Sequence, residues 1–355
     1  MDQRWEKLGD ILVHYSTEIS SGENVLILMW EIDSFPLAQA IYKSAVESGA
    51  NVQVLFLSET FNRLLLKYGR DQQIDWLPDL ERYGMDWADV CIELRAASNP
   101  SLFWDIPDEK VVKLRKTRGE ISTLRWQNTR WCLLRLPTPA LAQQAGLDEN
   151  TLIDMFFNAC FLDWPSLAEK WREWASILNR GKFIRVRAKD TDLSFSIEGR
   201  SWSVDDAHIN MPGGEISTAP VESSVNGYIY FDTPTVFAGK LMQGVYLVWR
   251  DGELVEAKAS TNEDFLKGLV KTDEGASKIG EFAIGTNPKL YHFCHDLLLD
   301  EKIYGTIHIA LGRAYPKVGG TNRSVIHWDI VKDLRQQGEI YLDGELIFKN
   351  GEILL

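Results

Sequence analysis

Two short apolar runs separated by one helical segment constrain the N-terminal half of the chain more than any other feature. Residues 23–30 (ENVLILMW) and 51–57 (NVQVLFL) are predicted as strands, and apolar residues recur at helical spacing in 35–49 between them. Strand, helix and strand at this length form a βαβ unit, which turns right-handed into a parallel sheet. We therefore predict a doubly wound, mostly parallel α/β domain over residues 1–180. Further candidate strands follow at 88–94 and 131–136.

The hydrophobic period changes from 3.6 to 2 after an amphipathic helix predicted at 165–180. Alternating apolar and polar residues are typical of strands with one buried face, and an Asp-Gly pair between two such segments is a strong hairpin signal. Residues 181–355 are therefore predicted to form a β-rich α+β domain. The first two alternating segments and the two Asp-Gly turns are 182–187, 192–197, 251–252 and 343–344.

Several classes of function are disfavoured by what the chain contains. No GxGxxG follows the first strand and no GxxxxGK[ST] occurs, so a nucleotide site is not predicted. A net charge of −13 repels phosphate backbones, which argues against a nucleic-acid partner. No apolar run approaches the roughly 18 residues that span a bilayer, and the start lacks the layout of a secretory signal. The four cysteines form no CxxC pair, so we expect a reduced, cytoplasmic protein without a membrane partner.

Metal-type ligands occur in four segments of the β-rich half, each with apolar or Gly-rich surroundings. In a strand, residues i and i+2 point to the same face, so His327 and Asp329 are expected to project side by side. A carboxylate inside an apolar strand, such as Glu281, is costly to bury unless a cation or donors compensate it. The segments are INMPGGEISTAP with Glu215, KIGEFAIGTN with Glu281, GTIHIALGRAY with His308 and Tyr315, and SVIHWDI with His327 and Asp329.

Each of these residues also has a purely structural interpretation when it is taken alone. His327 and Asp329 could form a buried pair that holds a loop, and His308 could be a hydrogen-bonded core residue. Glu215, next to two glycines, could lie in a surface loop. Taken together, two imidazoles and three carboxylates are a mixed N/O ligand set that suits borderline and hard divalent ions. Five ligands exceed what one catalytic zinc needs and suit two ions about 3.5–4 Å apart.

Other catalytic signatures do not compete with this hypothesis. HExxH, the single-zinc peptidase motif, is absent, and so is the GxSxG nucleophile elbow. His292, Cys294 and His295 form a second group of metal-type residues in YHFCHDLLLD. We interpret them as the packed start of a helix, because Cys294 does not share a helical face with the two histidines.

The four segments resemble the aminopeptidase T and aminopeptidase S (PepS) family of dinuclear metallo-aminopeptidases. The early GENVLILM and ESGANVQVLF segments also resemble its N-terminal domain. The resemblance implies a homodimeric exopeptidase of broad specificity that binds two Zn, Co or Mn ions. It assigns Tyr315 to the active-site tyrosine, with Glu301 as a supporting residue or additional ligand. The metal ligands that it implies are Glu215, Glu281, His308, His327 and Asp329.

On this hypothesis, a water or hydroxide shared by the two ions attacks the peptide bond. Glu281 bridges the ions or takes the proton of the water and passes it to the leaving amine. Tyr315 donates a hydrogen bond to the oxyanion. One rival is a ring-cleaving dioxygenase of the dihydroxypyridine type on the same fold, with a single Fe(II) held by His308, His327 and Asp329. Another is a catalytically inactive metal- or peptide-binding protein.

Overall fold

The computed structural model describes residues 2–96, 99, 101–237 and 240–355. The chain divides into two compact units, Met1–Phe161 with Ala207–Gly213, and Leu162–Asp206 with Gly214–Leu355. The domains 1–180 and 181–355 remain a prediction about domain organisation. The division into compact units differs from that prediction, because it places the helix before residue 180 in the second unit.

A parallel sheet forms the centre of the first unit. Its strands run in the order β2-β1-β3-β4-β8, and every pairing is parallel. β1 is buried along its length except at its two ends, as expected for an inner strand of a parallel sheet. The predicted βαβ unit and the α/β class of this half are thus confirmed. The strands are β1 Asn24–Trp30, β2 Asn51–Leu57, β3 Val90–Arg95, β4 Arg130–Arg135 and β8 Asn210–Met211.

The helices of the first unit begin where the sequence supplies capping residues. Ser58, Thr138 and Asp148 each accept a hydrogen bond from a backbone N–H in the first turn of α3, α7 and α8, respectively. Such caps satisfy donors that have no partner within the helix. The helices are α1 Gln3–Ile11, α2 Phe35–Glu47, α3 Glu59–Tyr68, α4 Asp71–Ile74, α5 Asp79–Trp87, α6 Asp108–Asn128, α7 Pro139–Ala145 and α8 Glu149–Cys160.

The second unit opens with helix α9, Trp164–Leu178, and is otherwise mostly antiparallel sheet. One sheet has the order β14-β13-β10-β6-β5-β18-β19-β20, another β17-β16-β15-β9-β7, and β11 pairs with β12. The strands are β5 Phe183–Ala188, β6 Thr191–Ser196, β7 Ser203–Asp205, β9 Glu215–Thr218, β10 Asn226–Phe231, β11 Thr235–Phe237, β12 Lys240–Met242, β13 Val245–Arg250, β14 Glu253–Lys258, β15 Ile279–Gly285, β16 Thr306–Gly312, β17 His327–Asp333, β18 Glu339–Leu342, β19 Glu345–Lys349 and β20 Glu352–Ile353. Two short helices, α10 Glu263–Leu269 and α11 Leu297–Asp300, interrupt the strands.

Both Asp-Gly hairpins form as predicted. Asp251 and Gly252 connect β13 to β14, and Asp343 and Gly344 connect β18 to β19. All four residues have positive φ, which a two-residue hairpin turn requires of both its central residues in the type I′ form. The β-rich class of this half is confirmed.

The sheet of β17, β16, β15, β9 and β7 has one strongly apolar face. Phe282, Ile309 and Trp328 on that face are fully buried. The Phe282 ring lies 5.1 Å from that of Phe195 on β6, so this face packs against the other large sheet. The Trp328 Nε1–H donates to Thr235 Oγ1 at 3.3 Å, which satisfies its polar atom inside the core. The opposite face is therefore the one available for polar chemistry.

Within the described residues, every helix is too short or too polar to cross a lipid bilayer. The four cysteines are all free and buried.

Candidate metal centre

The strand register places all five predicted ligands on the same face of one sheet. Residues that pair across antiparallel strands share a face. Ala310 on β16 pairs with Glu281 on β15 and with Asp329 on β17, and Gly312 pairs with His327. The alternation along β15 and β16 extends the same face to His308, which pairs with Ala283, and to Glu215, which pairs with Gly285.

Small residues occupy the positions between these ligands. Ala283, Gly285, Ala310 and Gly312 each lie opposite a ligand on a neighbouring strand. Because their side chains are a methyl group or a hydrogen atom, the longer carboxylates and imidazoles can converge above them. The sheet thus supplies both the ligands and the room for a cation.

A β-bulge at Gly280 turns Glu281 toward this face. The register of β15 against β16 shifts by one residue between Ile279 and Glu281. Without the shift, Glu281 would share the core face with Ile279, because residues i and i+2 of a regular strand point the same way. A Cβ atom at Gly280 would lie 2.2 Å from the carbonyl oxygen of Gly312, so the bulge requires glycine. Bulges of this kind commonly redirect a side chain next to an active site.

Among the described residues, the metal-type side chains converge in two adjacent groups. In each group, one ligand atom of every residue lies within 4.8 Å of the others. In the second group, His327 Nε2 lies 3.2 Å from Glu281 Oε2 and 3.5 Å from Asp329 Oδ1. Asp329 Oδ1 is also 3.9 Å from His308 Nε2, so the two groups adjoin. The first group consists of Glu215, Glu301 and His308, and the second of Glu281, His327 and Asp329.

Two residues of this region had little or no assigned role in the sequence. Glu301, which directly follows α11, supplies the third carboxylate or imidazole of the first group. Lys302 received no role, yet its side chain is fully buried with Nζ 2.5 Å from Glu301 Oε1 and 3.2 Å from Glu215 Oε2. The only sequence signal for either residue is the Glu-Lys pair ahead of the strand that carries His308.

The electrostatic field at this face attracts positive charge. Burial lowers the pKa of His327, but the carboxylates of Asp329 and Glu281 outweigh it and raise that pKa to about 9. Burial likewise opposes protonation of His308, whose pKa is nonetheless raised, chiefly by Glu215 and Asp329. Burial raises the pKa of Glu301 to about 8, although the Lys302 ammonium acts against this shift. A face with this field suits cations.

The individual atoms also fit a metal ion. Within the described part of the chain, His308 Nδ1 and Asp329 Oδ1 are buried without a hydrogen-bond partner, which is costly unless another ligand satisfies them. His327 Nδ1 lies 2.7 Å from the carbonyl oxygen of Arg313, which fixes the ring with Nε2 directed at the carboxylates. Metal-binding histidines characteristically use their second nitrogen in this way. Carboxylate and imidazole ligands suit zinc, cobalt and manganese.

Tyr315 lies beside the second group. Its ring makes an edge-on contact with His327, with centroids 5.1 Å apart. Tyr315 is 45% exposed, but desolvation of its phenol and the nearby carboxylates of Glu281 and Asp329 raise its pKa above the ordinary value. The phenol, which is protonated at neutral pH even at that ordinary value of about 10, is therefore a donor.

The competing trio His292, Cys294 and His295 does not begin a helix, so that interpretation was wrong. Helix α11 starts later, at Leu297, and the segment before it is irregular. The side chains of the trio do not form one of the ligand groups found among the described residues.

The fold and these two ligand groups define a protein with a candidate site for divalent metal ions on one face of an antiparallel sheet. The family model described as thermophilic metalloprotease (M29) matches residues 1–353. The chain therefore belongs to the M29 metalloprotease family, and the resemblance inferred from the sequence motifs is confirmed.

Curated relatives carry aminopeptidase names. Aminopeptidase 2 of Geobacillus stearothermophilus is 25% identical over 98% of both chains. Aminopeptidase T of Thermus thermophilus is 24% identical, and the match covers 96% of this chain and 95% of that relative.

Two solved structures share the fold. Wild-type AmpT from Thermus thermophilus superposes with a TM-score of 0.88 at 21% identity, covering 99% of each chain. A 2,5-dihydroxypyridine dioxygenase from Pseudomonas putida KT2440 gives a TM-score of 0.60 at 14% identity, covering 99% of this chain and 97% of that one. At these identities the likeness concerns the fold alone, and it extends to both classes of enzyme that the sequence left open.

Proposed function

We propose that this chain is a metal-dependent aminopeptidase that binds two divalent ions and removes N-terminal residues from peptides. The observation that carries the proposal is the convergence of two adjacent ligand groups on one sheet face, in a family whose curated relatives are aminopeptidases. The first group would hold one ion and the second group the other. Zinc, cobalt or manganese fits both, because each group combines two carboxylates with one imidazole.

The two ligand groups would hold divalent ions, which would lower the pKa of a water molecule and polarise a substrate carbonyl. Within the second group, Glu281 transfers the proton of the attacking water. Glu281 is only 5% exposed and lies in hydrogen-bonding range of His327 Nε2. Its carboxylate would help to hold the cation, and it takes the proton of the attacking water and delivers it to the leaving amine.

Tyr315 stabilises the charge that develops on the substrate carbonyl oxygen. Its phenol is protonated at neutral pH, since the ordinary tyrosine pKa is about 10, and its ring contact with His327 keeps it beside the second group. A donor held in place before the reaction needs no reorganisation when the oxyanion forms.

A free N-terminus is the feature of a peptide that this face would select. The α-amino group of a peptide is largely cationic below its pKa of about 8. Two divalent ions would offset the four carboxylates of the two groups, so a free N-terminus would be recognised in its unprotonated form, as a nitrogen ligand that an acylated or internal amide nitrogen cannot provide, and this favours an exopeptidase. We also propose that the chain forms a homodimer, which light scattering would detect as a particle of twice the mass of one chain.

The single-iron dioxygenase remains the second candidate because its three ligands also lie together. Asp329 Oδ1 is 3.5 Å from His327 Nε2 and 3.9 Å from His308 Nε2. A two-histidine, one-carboxylate iron site gives no role to Glu215, Glu281 or Glu301. The two-ion aminopeptidase gives a role to all six side chains of the two groups, so we favour it. An inactive binding protein would keep the ions and release no product.

The test is a metal-restoration assay. Protein stripped with a chelator is incubated with Zn²⁺, Co²⁺ or Mn²⁺ and assayed with a panel of aminoacyl-p-nitroanilides and with their N-acetylated forms. We expect metal-dependent release from the free-amine substrates and none from the acetylated ones. Absence of release across the panel with metal bound, or dioxygen uptake with a dihydroxypyridine and Fe²⁺, would contradict the proposal.

A further inference from the structure

A fully buried lysine lies against the first ligand group. Lys302 Nζ is 2.5 Å from Glu301 Oε1, 3.2 Å from Glu215 Oε2 and 3.6 Å from Asp205 Oδ2. A buried ammonium is stable only where anions surround it, so these contacts fix its position. Asp205 pairs with Glu215 across β7 and β9, which places it on the ligand face beside the first group.

The lysine uses one oxygen of each ligand carboxylate. It contacts Oε2 of Glu215 and Oε1 of Glu301, so it leaves the second oxygen of each carboxylate to another partner. A carboxylate can accept from both oxygens at once, so a cation and an ammonium can share it. Two carboxylates this close repel each other, and the ammonium between them offsets that repulsion before any ion binds.

We propose that Lys302 is a positioning residue that presents Glu215 and Glu301 to the divalent ion of the first group. The inference rests on the proposed two-ion function. It concerns the first group, because the carboxylates that Lys302 contacts are Glu215 and Glu301 of that group and the neighbouring Asp205. Loss of the ammonium should therefore lower the affinity for the ion of the first group and leave the affinity for the other ion unchanged.

An alternative role for Lys302 would have the opposite effect on metal affinity. An ammonium could compete with the ion for the same carboxylates, and its removal would then raise metal affinity. The contact with Asp205 argues against this, because a third carboxylate shares the lysine charge and so reduces the hold of the ammonium on the two ligand carboxylates. The sign of the change in affinity therefore decides between positioning and competition.

The experiment compares Lys302→Met with Lys332→Met. Lys332 is also buried, at 2% exposed, but it lies on the core face of β17 with Nζ 3.3 Å from Asp232 Oδ1, away from the ligands. Bound Zn²⁺ per chain is measured by equilibrium dialysis with elemental analysis, and Co²⁺ binding by visible absorption. We expect two ions in the wild type and in Lys332→Met. Lys302→Met should bind one at the same free Zn²⁺, with the second needing roughly 10–100-fold more.

The outcomes separate this inference from the function on which it rests. A wild-type chain that binds fewer than two ions contradicts the proposed function. Two ions in the wild type, with equal or tighter binding of both by Lys302→Met, overturns the role of Lys302 alone. Circular dichroism checks the fold. If Lys302→Met does not fold, Lys302→Gln is tested instead, because it retains a hydrogen-bond donor without the charge. We expect Lys302→Gln to bind one of the two ions less tightly. Unchanged affinity for both ions would also overturn the role of Lys302.

Discussion

Replacement of Glu281 by glutamine tests the assignment of the proton-transfer group. The amide has nearly the same shape as the carboxylate, but it cannot accept a proton at neutral pH. Glu281 is buried within β15, and the Gly280 bulge directs it at His327 Nε2, 3.2 Å away. The substitution therefore changes the chemistry of one side chain and leaves the strand register intact.

The magnitude follows from the role assigned to Glu281. Positioned general acid–base groups contribute about 10²–10⁴-fold to a rate. Glu281 acts on both the water and the leaving amine, so we expect kcat to fall about 10³–10⁴-fold, or about 4–5.5 kcal/mol of activation free energy. KM should change little, because substrate contacts are retained.

The assay measures kcat and KM at saturating metal, with metal content determined on the same samples. Glu253→Gln is the matched control, because that side chain is 72% exposed and its ion pair, within the described residues, is with Lys278. It should retain full activity. A Glu281→Gln enzyme with both ions bound and kcat within tenfold of the wild type would refute the assignment.

Three further changes test other parts of the site. Gly280→Ala should lower stability by about 1–3 kcal/mol in urea unfolding and reduce activity, because its Cβ would meet a backbone oxygen 2.2 Å away. Gly119→Ala, with open space around it, is the control. Equal stability of the two variants would contradict the need for glycine at the bulge. Tyr315→Phe should cut kcat about 10²-fold with metal content unchanged, and an unaffected kcat would remove the phenol from the mechanism. Asp273→Asn should cost about 1–2 kcal/mol at pH 7. Burial raises the pKa of Asp273, but hydrogen bonds from the loop before β17 lower it below its ordinary value. The stabilisation by Asp273 is thus present above its unfolded pKa and is lost as the pH falls through the lower folded value. In urea unfolding, the difference in stability between the wild type and Asp273→Asn should therefore be smaller below about pH 4 than at pH 7. An equal difference at the two pH values would contradict this account.

Local patterns predicted much of the fold. The run NVQVLFL forms β2 with the predicted bounds, and both Asp-Gly turns connect hairpins. These features depend on interactions between near neighbours in sequence, which a pattern can express. The short strand β8 was not predicted, because it pairs with β4 about 75 residues earlier and consists of only two residues.

The site illustrates the same limit. Alternation along one strand correctly placed His327 and Asp329 on a shared face. Which ligands converge depends on the register between strands distant in sequence, and a bulge at Gly280 sets that register for Glu281. Lys302 had no signal of its own, because a buried lysine is recognised only by the carboxylates that surround it.

Anomalous diffraction from crystals loaded with Zn²⁺ or Co²⁺ tests the central claim most directly. We expect two anomalous peaks per chain about 3.5–4 Å apart. One should lie among Glu215, Glu301 and His308, and the other among Glu281, His327 and Asp329. A single peak bound by His308, His327 and Asp329 alone, or peaks elsewhere on the chain, would contradict the two-ion site.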